Sequence, residues 1–151
     1  KLEAHEEKMF FQGAIRKVIE IEGLIHIDEI ARRFASAIGA ARTGSKIVAF
    51  VRDALEQIKK NPHIRNKGDF WGTEEQFRTP QIRDRSQETT PLTKPEYLSD
   101  QEIIAAAELI EADSGSVELD ELIRSISRLL GYKRAGPDFS KRLEEVLRSR
   151  K

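Results

Sequence analysis

The sequence contains no cysteine. That excludes disulfides and thiolate metal sites, and it suits a reducing, cytoplasmic setting. No run of apolar residues approaches the roughly 20 needed to cross a bilayer, so no membrane partner is expected. No signal-peptide pattern opens the chain, which begins on Lys1 rather than on methionine, and a fragment of a longer protein is expected. Net charge is also missing, since 26 basic side chains balance 26 acidic ones.

The motifs of catalysis are scarce as well. His5, His26 and His63 lie far apart, and none has a ligand partner four residues on. Arg42-Thr43-Gly44-Ser45 has one glycine and lacks the Lys-Ser/Thr ending of a phosphate-cradling loop. The acid pairs Asp28-Glu29 and Asp120-Glu121 fall at expected helix starts, where the helix dipole accounts for them without chemistry. The sequence therefore points to no catalytic residue, cofactor or metal, and no small-molecule ligand is expected.

What the chain does have is a repeat. Gly23–Leu55 aligns without a gap on Gly115–Leu147, at an offset of 92 residues. Gly23, Asp28, Glu29, Arg32, Gly39, Arg42, Gly44 and Leu55 recur as Gly115, Asp120, Glu121, Arg124, Gly131, Arg134, Gly136 and Leu147. The apolar positions agree too, with Ile30 on Leu122, Phe34 on Ile126 and Ile38 on Leu130. So long a period implies two small domains rather than a solenoid.

The balanced charge is segregated along the chain. Residues 86–122 carry ten acids and one base, Lys94, whereas 32–85 carry twelve bases against six acids and 123–151 nine against three. Basic character thus collects on the second half of each copy, although a helical surface rich in Lys and Glu is the plain alternative.

The local pattern gives the elements. Phe11, Ile15, Val18 and Ile19 form a helical stripe within 1–22, and Gly23 stops that helix. Leu24-Ile25 suits a one- or two-residue strand. A second helix is expected over 27–38, with Ile27, Ile30, Phe34 and Ile38 on one face. Gly39 ends it, and Thr43 or Ser45 caps a third helix that carries Ile47, Phe50, Val51, Ala54, Leu55 and Ile58 inward. After Asn61-Pro62, the spacing reads as strand, turn at 66–69, strand, with a further edge strand over 77–83. Ser86 to Lys94 reads as a polar linker, and Ser99 with Glu102 opens the second copy as a capping box. There a helix over 119–130 ends at Gly131, and Pro137 starts the last one.

The expected fold is mostly α with a small β-hairpin, as two tandem winged-helix or helix-turn-helix-like units. The first covers 1–85 with a β-wing, a linker covers 86–98, and the second covers 99–151 without room for a full wing.

The stretch IEIEGLIHIDEIARRFASAIGAARTGSKI, followed by KGDFW and then LIRSISRLLGYKRAG, resembles a bacterial C-terminal domain of unknown function. That domain closes large proteins with superfamily I helicase motors, often beside a restriction-endonuclease-like segment. The resemblance runs from about Ile15 and is most specific at Glu22-Gly23, Ile25-His26, Arg42–Ser45 and Leu130–Arg134. The chain departs at Leu24, where the family often has proline, and at Ala135-Gly136-Pro137. The resemblance implies a helicase-like parent whose motor and nuclease segments are partners of this part. It brings no active site onto these residues.

Within a helix-turn-helix reading, the third helix presents Lys46, Ala49, Arg52, Asp53 and Glu56 in copy one and Ser140, Lys141, Glu144, Glu145 and Arg148 in copy two. Lys59, Lys60, Arg65 and Lys67 gather around the hairpin, where a basic wing can follow a phosphate backbone. Lys133 adds to the basic residues of copy two. Arg42 and Arg134 either face phosphate beside a helix start or fold back onto Asp28/Asp120 or Glu29/Glu121. Trp71 beside Phe70 either stacks on a base or packs the wing onto the third helix. Two functions follow from these features. One is accessory binding of duplex or forked DNA, mainly through phosphates; the other is a protein-docking module, favoured by the acidic 86–122 stretch.

Overall fold

The computed structural model describes residues 2–88 and 93–150, so part of the expected linker, 89–92, lies outside the described residues. The elements are α1 (Leu2–Glu22), β1 (Ile25–His26), α2 (Ile27–Ala37), α3 (Ser45–Ile58), β2 (Ile64–Lys67), β3 (Phe70–Thr73), α4 (Glu74–Arg78), a 3-10 turn (Pro95–Tyr97), α5 (Asp100–Ser114), α6 (Leu119–Leu129) and α7 (Pro137–Ser149). The protein is mostly helical with one small antiparallel sheet. Among the described residues, no helix is long and apolar enough to cross a membrane. The chain divides into Lys1–Arg78 and Thr79–Lys151.

The repeat is kept in three dimensions. α6 begins and ends 92 residues after α2, and α7 begins 92 residues after α3. Each second helix of a copy stops in the same way. In the first, Gly39 takes φ 79°, its N–H reaches Ser36 O at 3.1 Å, and the Ala40 N–H reaches back to Ala35 O at 2.9 Å. In the second, Gly131 takes φ 87° with the matching bonds to Arg128 O and Ser127 O at the same two lengths. This double bond is the Schellman stop, and its left-handed residue is one that glycine adopts without steric cost. Neither Thr43 nor Ser45 caps α3. Gly44, in extended conformation and without a side-chain bond, holds that position, as Gly136 does before α7, where Pro137 fills the first turn.

In the first unit, β3 is central, with β1 and β2 antiparallel on either side; Ile25 and Asn66 both face Trp71. The order of helices and strands is compatible with a winged-helix arrangement. Ile15 and Ile19 of α1, Ile30 and Phe34 of α2, and Val51 and Leu55 of α3 close over Trp71 as one core. Ile38 is not part of it; it lies past the end of α2 and is exposed.

The strand expected over 77–83 does not form: Phe77 and Arg78 end α4, and residues 79–83 take no regular secondary structure. Thr73 and Gln76 form a complete capping box: the Gln76 N–H donates to Thr73 Oγ1 at 3.1 Å and the Thr73 N–H to Gln76 Oε1 at 2.7 Å. Gln76 Nε2 then donates to Glu20 O at 2.8 Å, satisfying a carbonyl at the end of α1. A Cβ on Gly23 or Gly72 would press on this side chain, so both glycines leave room for it.

The second unit buries Ile103, Ala106 and Ala107 of α5, Leu122 and Ile126 of α6, and Phe139, Leu143, Val146 and Leu147 of α7 around Leu98 and Leu130. Among its described residues it has no strand. The expected boundaries move, because residues 79–85 belong to this unit and not to the first. Ile82 packs on its core, and the Arg85 N–H donates to Leu130 O at 2.8 Å. The Arg85 guanidinium grips both Glu102 oxygens at 2.6 and 2.8 Å, with the side chains only 10% and 3% exposed. Glu102 also accepts from the Arg83 N–H at 2.9 Å. The sequence pattern suggests an edge strand over most of this segment, and only the buried partner shows where it docks.

Two expectations follow. Removing one partner of a buried pair strands the other charge, so Glu102→Ala should cost about 3 kcal/mol. Urea unfolding followed by near-ultraviolet circular dichroism of Tyr97 and Tyr132 measures this, and a loss under about 1 kcal/mol would contradict it. In the first unit, burial raises the Glu29 pKa, but hydrogen bonds from Arg32 and Arg33 outweigh it and the net shift is downward. A lowered carboxylate adds stability above its unfolded pKa and loses it as pH falls through the folded one. Melting followed by Trp71 fluorescence should therefore weaken from about pH 5 to pH 3, and less steeply in Glu29→Gln.

Candidate nucleic-acid interface

The basic residues of the first unit fall into two groups. Arg42 and Lys46 stand at the start of α3, both exposed. Lys59 and Lys60 stand at its other end, about 20 Å away along the helix axis at 1.5 Å per residue. Between them, Ala49, Arg52, Asp53 and Glu56 are exposed, so the outward face of α3 carries both signs of charge, as its sequence implies.

The second group belongs to the hairpin. The Lys59 and Lys60 N–H groups close the last turn of α3 on Leu55 O and Gln57 O at 2.8 and 3.1 Å. Asn61 Oδ1 then accepts from the His63 N–H at 2.9 Å and turns the chain into β2. Lys67 ends β2, beside Gly68 at φ 57°, and Asn66 Nδ2 braces the turn by donating to Gly68 O at 2.9 Å. Arg65 sits between them with its guanidinium 5.2 Å above the Phe77 ring, a cation–π contact that holds α4 against the hairpin.

Of the two readings of Trp71, the structure supports packing: the indole is 4% exposed and part of the core. Phe70 is half-buried and edge-on to the His26 ring, 5.1 Å away. His26 caps α2 by accepting from the Asp28 N–H on Nδ1 at 3.0 Å. Among the described residues, no group of three or more His, Cys, Asp or Glu side chains could hold a metal.

Among the described residues, neither Arg42 nor Arg134 pairs with Glu29 or Glu121. Glu29 is taken by Arg32 at 2.6 Å and Arg33 at 2.7 Å, and Glu121 by Arg124 at 2.9 Å and Arg128 at 3.4 Å. Arginines one turn along the same helix reach the carboxylate without ordering a loop, so they win over the more distant residue. Among the described residues, Arg42, Lys46, Lys59, Lys60 and Lys67 make no ion pair. In the second unit, Lys133, Arg134 and Lys141 are likewise exposed and unpaired, whereas Arg148 is held by Glu144 at 2.8 Å. Lys133 and Arg134 border a cleft between α6 and α7.

Three features escape a reading of the sequence alone. The capping box was written in Thr73-Glu74-Glu75-Gln76, but a possible edge strand overlapped it. The Arg85–Glu102 pair joins residues 17 apart that no pattern links. Among the described residues, Ser127 Oγ and the Tyr132 hydroxyl are buried without hydrogen-bond partners, where helical periodicity shows ordinary positions.

Residues 12–49 match a family whose description is a protein of unknown function (DUF3320). The matched segment takes in most of α1, β1, α2, the glycine turn and the start of α3. No curated protein and no solved structure matches the chain.

Arg65 supports the hairpin whatever else it does, so Arg65→Ala should destabilise the first unit by about 0.5–1 kcal/mol, and Arg65→Lys by less. Urea unfolding followed by Trp71 fluorescence tests this, and equal midpoints for Arg65→Ala and the parent chain would refute it.

Proposed function

We propose that this chain is an accessory, non-catalytic nucleic-acid-binding part of a larger helicase-like protein, gripping duplex or forked DNA mainly by its phosphates. The observation that supports it best is the sorting of cations in the first unit. Arg16, Arg32, Arg33 and Arg78 are each tied to a carboxylate. Lys59, Lys60 and Lys67 are exposed, unpaired and set around one hairpin. Solvated ammonium groups gathered at the end of α3 and along the following hairpin suit a backbone of fixed negative charge, whose binding releases counterions. Little base readout is expected, because the α3 face is mixed in charge and Trp71 is buried. The helicase setting rests on the resemblance alone; the family matched over residues 12–49 is of unknown function.

A second reading has its own support. Met9, Phe10 and Ile21 of α1 are more than half exposed, which suits docking against another protein surface. In that reading the chain joins the motor or nuclease segments of its parent and the lysines are simply solvated.

Fluorescence anisotropy of labelled single-stranded, duplex and forked DNA separates the two. Binding should weaken steeply with salt. Lys59→Ala/Lys60→Ala/Lys67→Ala should lower the log–log salt slope by about 2–3, since each phosphate contact contributes about 0.9. Arg65 stays intact in that variant so that the hairpin keeps its brace. Absence of binding at low salt would give the docking role the lead.

A further inference from the structure

We infer that the outer face of α1 is a self-association surface, on which two copies of the chain pair through antiparallel α1 helices. The inference concerns the exposed apolar residues of α1 and stands whether or not the hairpin binds nucleic acid.

α1 carries two stripes. Phe11, Ile15, Val18 and Ile19 belong to the core or pack on it. Glu7, Phe10, Ala14, Lys17 and Ile21 follow another side of the helix, and all five are exposed. Their spacing alternates between three and four residues, which is that of a coiled-coil seam. Phe10 is 71% exposed and Ile21 67%. Phe10 is also steadied from beneath. Its ring stands edge-on to Phe11, with centroids 5.8 Å apart, and Phe11 is in turn edge-on to Phe34 and Phe50. A large aromatic held in place at a surface is the kind of anchor that carries binding energy.

The seam is complementary to itself. Turned about a two-fold axis level with Gln12, Glu7 meets Lys17 of a second copy and Phe10 meets Ala14, and the symmetry repeats both contacts. A parallel pair would instead set Glu7 against Glu7 and Lys17 against Lys17. Within one chain these two residues lie about 15 Å apart along the helix, too far to pair. Among the described residues neither makes an ion pair, whereas Arg16 and Glu20 on the neighbouring face are joined at 3.2 Å. The charges left over on α1 are thus the ones an antiparallel copy would satisfy.

There is room for the incoming ring. Ala14 edges a shallow groove of about 70 Å³, with Val18 on its own helix and Phe34 and Ala37 on α2 as further walls. Gly13 beside it bares the backbone, and nothing stands within 4 Å of where its Cβ would be. A glycine inside a helix is destabilising relative to alanine, and no contact within the described chain calls for it; close approach of a second helix does. One pair of helices buries less than the roughly 1,600 Å² of a standard interface, so the dimer is reversible rather than obligate.

Sedimentation equilibrium of the full chain from about 1 to 500 µM measures the association. A concentration-dependent dimer is expected, and Phe10→Asp should weaken it at least tenfold. Glu7→Lys and Lys17→Glu should each weaken it tenfold as well, by setting like charges across both ends of the seam. An equimolar mixture of those two variants should regain the dimer, because each then supplies the charge the other lacks. All three substitutions are at exposed positions, and Trp71 fluorescence checks that each variant keeps its fold. The proposal is overturned if the unsubstituted chain stays monomeric over the whole range, which would leave this face to a different protein surface. It is equally overturned if Phe10→Asp associates as tightly as the unsubstituted chain, or if the mixture associates no better than either variant alone.

Discussion

Both units turn on the same constraint, a helix that must end on a left-handed residue so that the next helix can leave at an angle. Gly39 and Gly131 meet it with paired backbone bonds of the same length. Once those carbonyls are satisfied, the apolar faces of α2 with α3, and of α6 with α7, can close over a helix that precedes them, α1 or α5. Small cores leave little margin, so an unsatisfied helix end would be felt throughout each unit.

The two copies then complete their cores by different means. The first adds the hairpin, with Trp71 reaching the core, and Gln76 ties α4 to the end of α1 through the space left by Gly23 and Gly72. The second has no strand among its described residues and instead draws residues 82–86 over its glycine turn, fixed by Arg85 on Glu102. Gly131 lies under Asp84, Arg85 and Ser86, with no space for a side chain, whereas Gly39 is open. The same glycine therefore serves conformation in one copy, and both conformation and close approach in the other.

These differences also separate the candidate chemistry. In the first unit, the exposed lysines stand at the end of α3 and on the hairpin that follows it, where attraction to phosphate is strongest in low salt. In the second, Lys133 and Arg134 border a cleft between α6 and α7 that Asp120 and Glu144 also line, so both signs of charge meet there. A duplication so regular in its helices has thus diverged at its surfaces, where substitutions cost little stability.

Much of the architecture was legible from residue spacing. The 92-residue offset, the 3.6-residue apolar stripes, the glycine stops, Pro137 and the hairpin turn are local, and local rules of dihedral angle and amphipathic burial decide them. The basic residues around the hairpin were visible for the same reason. The sequence by itself could not decide whether Arg42 or Arg32 would hold Glu29, whether 77–83 would form a strand, or to which unit 79–85 belonged. Those outcomes depend on competition among partners that meet only when helices pack, because a carboxylate or a carbonyl takes the donor that reaches it at least entropic cost. Tertiary structure alone selected Arg85 for Glu102 and Gln76 for Glu20.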